Sequence, residues 1–168
     1  SDFHELEHER GSSVFGTPLF VEYNDTKINF LDAPGYDDYI GEIVACINVA
    51  DNVLILVNGQ NGAEVGTEIG ISNAERLERP VIFGVNKLDS EAYENEKSVE
   101  DLKGLVGNSA TIFQYPVNVG PGFNSIIDVL SMKQYTASPE GELTISDVQD
   151  SEKDTAENYR SELVESIA

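Results

Sequence analysis

Lys27-Ile28-Asn29-Phe30-Leu31-Asp32-Ala33-Pro34-Gly35-Tyr36-Asp37-Asp38-Tyr39 reads as a strand, a sharp turn and the entry to a helix. Ile28, Phe30 and Leu31 are apolar and bounded by turn residues, the pattern of a short buried strand. Pro34 and Gly35 then force a turn. Beyond it Tyr39, Ile40, Ile43, Val44 and Ile47 recur on one helical face. Asp32 therefore stands at the carboxyl end of a strand, with the bare amide of Gly35 three residues on. In open α/β sheets ligands bind at that end of the strands. An acid there can hold a metal ion through water, and a glycine amide can approach a phosphate unobstructed. A simple capped strand-to-helix turn would also carry these four residues.

A second strand end narrows the choice. Val81 to Val85 is an apolar strand that ends in Asn86-Lys87-Leu88-Asp89. A carboxylate at Asp89 can accept two hydrogen bonds from the N1 and amino groups of guanine, whereas adenine presents the wrong pattern. Such charge-assisted bonds are worth about 1.5–3 kcal/mol each, enough to select a base. The stem of Lys87 can pack over a ring face.

The rest of the chain keeps the same rhythm. Val14 to Tyr23 and Lys27 to Leu31 predict a hairpin turning at Asn24-Asp25-Thr26. Val53 to Val57 is a continuous apolar run, as for a strand covered on both faces. A helix is expected over Val65 to Leu77, weakened by Gly66 and Gly70. Ser90 is a candidate cap for a helix whose core face would hold Val99, Leu102, Leu105 and Val106. Ala110 to Tyr115 reads as a further strand. Strands alternating with helices imply an α/β fold with a mostly parallel sheet covered by helices on both faces.

After Pro116 the rhythm changes. Ile126 to Leu130 reads as a strand, Thr136 to Asp150 as mixed and turn-rich, and 151–168 as an amphipathic helix with Ala156, Tyr159, Leu163 and Ile167 inward. The expected division is a main domain over 1–116 and a small α/β insertion over 117–168. A net charge of −21 argues against holding DNA or RNA by bulk electrostatics. No apolar run is long enough to span a membrane, and the acidic start is unlike a signal peptide. The single cysteine, Cys46, suits a reducing cytoplasm. His4-Glu5-Leu6-Glu7-His8 matches a zinc-protease pattern. Gly11 would stop that helix after one turn, and no third histidine exists, so a solvated charged segment is the better reading.

With these motifs in place, the chain resembles the GTP-binding domain of translational GTPases, most closely elongation factor G. The resemblance begins at Glu9-Arg10-Gly11, passes through Asp32–Gly35 and Asn86–Asp89, and continues into Tyr115-Pro116 and Gly122-Phe123 to Met132-Lys133. It implies a truncated P-loop-type G domain with that factor's inserted subdomain. It also implies GTP or GDP with Mg2+ as ligand, the ribosome as partner, and GTP-dependent translocation as the function of the whole protein. Residues 9–13 would end the first switch loop, where the family places a magnesium-binding threonine. Ser13 keeps a hydroxyl there, so Ser13 and Asp32 are the candidate Mg2+ residues. Asp32, Gly35, Asn86, Lys87 and Asp89 are the candidate nucleotide residues. The acidic 151–168 helix is a candidate for the ribosomal stalk.

The resemblance also predicts departures. No G-x-x-x-x-G-K-[ST] loop and no Ser-Ala-type guanine loop occur. The family places these upstream of the first switch and after the insertion, so the chain is expected to be the middle of a larger protein that binds GTP very weakly on its own. The family's catalytic histidine after Asp-x-Pro-Gly is Tyr36, a poor base near neutral pH. Three alternatives stay open: a nucleotide-binding factor with impaired hydrolysis, a ribosome-protection factor of the same superfamily, and a non-enzymatic interaction module that keeps the fold without nucleotide.

Overall fold

Asn24 and Asp25 both take left-handed backbone angles, φ 47° and 57°, which a two-residue hairpin turn of matching twist requires. They join β1 (Thr17–Tyr23) to β2 (Thr26–Asp32) in an antiparallel register that runs from Tyr23 opposite Thr26 to Thr17 opposite Asp32. The computed structural model describes residues 1–91, 93, 95–107 and 110–167, with the backbone alone at 95 and 96.

The chain divides into two compact units, Ser1–Val57 with Ala63–Gly84, and Asn58–Gly62 with Val85–Ala168. In the first, a short helix α1 (Glu5–Arg10) precedes the hairpin, and a 3-10 turn at Asp37–Tyr39 leads into α2 (Ile40–Val49). Then come β3 (Val53–Asn58), α3 (Val65–Arg76) and β4 (Val81–Asn86). Val53 N–H donates to the Pro80 carbonyl and Gly59 N–H to the Asn86 carbonyl, both at 2.9 Å. The equal offset at the two ends makes β3 and β4 a parallel pair, as the intervening α3 demands.

The first core follows the expected periodicities. Ile43 and Ile47 of α2, Ile55 and Val57 of β3, and Ile71 and Ala74 of α3 are all buried. Burial alternates along β3, so Leu54 and Leu56 face the other way and remain 57% and 65% exposed. Covering on the Leu54 side, which the unbroken apolar run led one to expect, is thus not supplied among the described residues. Gly70 lets α3 approach β3: a Cβ there would meet the Ile55 side chain at 3.1 Å.

The second unit holds α4 (Asn95–Val106) and an antiparallel sheet, β5 (Gln114–Pro116), β6 (Ser125–Asp128), β7 (Lys133–Ala137) and β8 (Leu143–Asp147), in that order. Helix α5 (Lys153–Ser166) follows a 3-10 turn. Ile127, Val129, Val148 and Ala156 form its core, with Phe113, Tyr115, Met132, Tyr159 and Leu163 packed around them.

Several expectations shift here. The strand sought at Ala110 to Tyr115 forms only from Gln114 and pairs antiparallel with β6. The turn-rich 136–150 contains a full strand, β8, whose Leu143 and Ile145 alternate with polar residues although all five side chains are exposed. Ser90 does not cap α4, which starts at Asn95; residues 92 and 94 lie outside the described ones. On α4 Leu102 is buried as expected, but Leu105 is 40% exposed and Ser98 takes a fully buried place instead. On α5 the inward face ends at Leu163, since Ile167 is exposed.

Candidate functional site

The segment before β1 is organised by a residue whose role the sequence pattern did not announce. Glu7 is 1% exposed although it carries a carboxylate. Its Oε2 accepts the N–H groups of Phe3 and His4, both at 3.0 Å. Its Oε1 accepts those of Val14 at 3.0 Å and Phe15 at 3.1 Å. Amides aimed at a carboxylate stabilise its charged form. The Val14 and His4 amides lead in holding the acid down, to about 2, against the opposing effect of burial. The signal in the sequence was capping-box spacing, an N-cap residue followed three positions later by Glu. His4 is that N-cap: its Nδ1 accepts the Leu6 N–H at 3.2 Å. The zinc-protease pattern is therefore a helix cap here. No cluster of three or more metal-ligating side chains occurs among the described residues.

Ser13 and Asp32 converge on one dipeptide. The Ser13 hydroxyl donates to Asp2 Oδ1 at 2.7 Å, and the Ser1 hydroxyl donates to Asp32 Oδ2. Asp32 ends β2 opposite Thr17, which is buried. The donor set of one hydroxyl and one carboxylate is hard oxygen, the kind Mg2+ takes when water and phosphate complete its shell. These residues fit that ion. Gly16 ties the segment to α2: its N–H donates to Glu42 Oε2 at 2.9 Å, and a Cβ there would sit 2.8 Å from Cys46 Sγ. Burial, with the charges of Glu42 and Asp32 nearby, pushes the Cys46 thiol up, away from the reactive thiolate.

The turn after Asp32 is fixed by Pro34, which is fully buried, while Gly35 is exposed. Helix α3 starts against it: a Cβ on Gly66 would lie 2.6 Å from the Gly35 carbonyl oxygen. Tyr36 points outward at 61% exposure and precedes the 3-10 turn.

In the second unit Asn86, Lys87 and Asp89 form one turn. The Asn86 Oδ1 accepts the Lys87 N–H at 2.8 Å, and Lys87 takes φ +62°, a left-handed angle that this side-chain bond supports. Ser90 N–H donates to the Lys87 carbonyl at 3.2 Å, and Gly120 N–H to the Leu88 carbonyl at 2.7 Å. The turn is thus held on both flanks while Asn86, Lys87 and Asp89 stay exposed. The Gln60 amide donates to the Ser90 hydroxyl, a link that sequence spacing gave no means of finding.

A parallel β3–β4 pair joined by one helical crossover, an Asp-x-Pro-Gly turn and an Asn-Lys-x-Asp turn define a G-domain-like α/β protein. The chain belongs to the family described as Elongation factor Tu GTP binding domain, which matches residues 1–161. It is similar to elongation factor G of Mycoplasma pneumoniae, 31% identical over 99% of this chain and 25% of that protein. It is also similar to peptide chain release factor 3 of Bordetella petrii, 31% identical over 77% of this chain and 24% of that protein. The crystal structure of ttk003000868 from Thermus thermophilus superposes with a TM-score of 0.88 at 29% identity, covering 98% of this chain and 24% of that one. The chain spans about a quarter of the length of the curated relatives it matches. The expected class, a GTPase-type translation-factor domain, is therefore met.

Proposed function

We propose that this chain is the guanine-nucleotide portion of an elongation-factor-G-like protein that acts on the ribosome in the cytoplasm. Each of its two strand-end acids is read as a guanine-nucleotide residue. Asp89 accepts from the guanine edge, Lys87 covers the ring face, and Asn86 braces the turn that presents both. Asp32 and Ser13 are the residues that would hold Mg2+, and the Gly35 amide is the group that would approach a phosphate. Bound Mg2+ supplies neutralisation of phosphate charge. The division into a partial GTP-binding domain over 1–116 and an inserted subdomain over 117–168 belongs to this reading.

The observation that carries it is the Asn86 turn. An asparagine side chain holds Lys87 in a left-handed conformation and leaves the Asp89 carboxylate exposed at a strand's carboxyl end. Fluorescent GDP titration of the full-length protein tests it. Removing the Asp89 carboxylate in Asp89→Ala forfeits two charge-assisted bonds, so affinity should fall by about a hundredfold or more. GDP bound by neither wild type nor variant leaves the non-enzymatic interaction module as the reading, and GDP bound equally by both removes Asp89 as the base-reading residue. The 168-residue chain alone is expected to bind GTP too weakly for calorimetric detection.

Tyr36 favours slow hydrolysis. A phenol beside the Gly35 turn is a weak base and reaches farther than an imidazole. The acidic helix α5, with Glu157, Glu162 and Glu165 exposed, suits a basic patch on the ribosomal stalk. Reversing these three to Lys should weaken stalk-dependent recruitment, and unchanged recruitment removes that partner. Retention of ribosome binding without translocation would favour a ribosome-protection factor.

A further inference from the structure

Glu7 does more than cap a helix. A capping box needs one carboxylate oxygen for the N-cap amide, and Oε2 fills that role at His4 and Phe3. Oε1 reaches out of the helix to Val14 and Phe15, seven and eight residues on. The backbone carbonyl of the same residue accepts Gly11 N–H at 2.8 Å and Ser12 N–H at 3.3 Å. So the amides of the two residues before Ser13 and of the two after it all end on Glu7. Gly11 turns the chain with φ +65°, and Val14 is buried directly after Ser13. Ser13 sits at the middle of a loop pinned on both sides by one residue, with its hydroxyl left to donate outward to Asp2.

We propose that Glu7 is the positioning residue for Ser13: its carbonyl and one carboxylate oxygen take the N–H groups on either side and fix where that hydroxyl is presented. The functional weight of this rests on reading Ser13 as a Mg2+ residue; the clasp itself rests on geometry alone. An ionised carboxylate is needed because a buried acid with four amides aimed at it gains from each of them, and nothing shorter spans both the helix start and the Val14 turn.

The test uses the full-length protein with GDP and Mg2+. It follows hydrogen exchange of the residue 11–15 amides and the Mg2+ concentration needed to retain nucleotide. Glu7→Ala should speed exchange at Val14 and Phe15 by about tenfold or more, since each then opens without losing a charge-assisted partner. It should raise the Mg2+ requirement by about tenfold. His4→Ala, which removes only the N-cap, should leave both unchanged. Should Glu7→Ala not fold, Glu7→Gln keeps the volume but faces one amide pair with an N–H group, and should shift both readouts the same way. Unchanged exchange at Val14 and Phe15 in the Glu7 variants overturns the clasp. Faster exchange with an unchanged Mg2+ requirement, while Ser13→Ala raises that requirement, overturns the positioning role. Ser13→Ala with no effect on Mg2+ removes the metal reading by itself, and the exchange data then decide the clasp.

Discussion

Gly66 opens α3 so close to Gly35 that a methyl group on it would lie 2.6 Å from the Gly35 carbonyl oxygen. Backbone cannot yield as a flexible side chain does. Gly66→Ala should therefore cost about 1–3 kcal/mol through overpacking and shift the Asp-x-Pro-Gly turn. Gly41→Ala is the control: it sits in α2 with nothing within 4 Å, and should gain about 0.5–1 kcal/mol from helix propensity. Urea midpoints of the two variants check the pair; equal shifts would mean that α3 does not press on Gly35.

Tyr36 stands where the family resemblance implies a histidine. Tyr36→His in the full-length protein should raise ribosome-stimulated GTP hydrolysis by about a hundredfold, the usual scale for a positioned acid–base group. Single-turnover phosphate release measures this. Ordinary factor rates from the unmodified protein would defeat the idea of impaired hydrolysis.

Glu7 makes the fold acid-sensitive in a defined direction. Its acid is held at about 2 in the folded chain against the usual 4.5. A depressed carboxylate stabilises the fold fully above its unfolded value, and loses that contribution as pH falls through the folded one. The stability gap between wild type and Glu7→Gln should thus be constant above about 4.5 and close as pH approaches about 2. Thermal melts across that window test it, and a gap that widens on acidification would contradict the sign.

Tyr115 gives the opposite case. Burial first, then the neighbouring Glu152 carboxylate, pushes its phenol above the ordinary tyrosine value of 10.0. The neutral form is favoured by the fold, so its contribution is complete below 10.0 and is lost only as pH rises toward the raised value. Tyr115→Phe keeps the ring contact with Tyr159, at 5.3 Å between centroids, and loses the hydroxyl's bonds to Glu152. It should cost about 1 kcal/mol and remove the late alkaline step from the ultraviolet titration.

Much of this was legible in the residues themselves. Asn24-Asp25 named its turn because only certain residues accept left-handed angles there, and Val53 to Val57 named its strand by unbroken apolarity. The Asp32 and Asn86 turns could be read because Pro, Gly and Asn act locally. What stayed hidden was non-local. Glu7 looked like one more charge in an acidic run until the fold supplied amides from residues 14 and 15. β8 carried only a short alternation, Leu143 and Ile145, next to Pro139 and Gly141, and its side chains are all exposed. Gly66 looked like a flaw in a helix, whereas its missing side chain is what allows the close approach to Gly35.

Leu54 and Leu56 project from β3 into open water on a chain whose charge is −21. Mutual repulsion of such strongly anionic particles keeps those oily faces from meeting. Dissolved ions shrink the reach of that repulsion to about 3 Å at molar strength. Handled as these 168 residues, the material should clump when brine is added long before warming unfolds it, and a Leu56→Lys substitution should keep it clear.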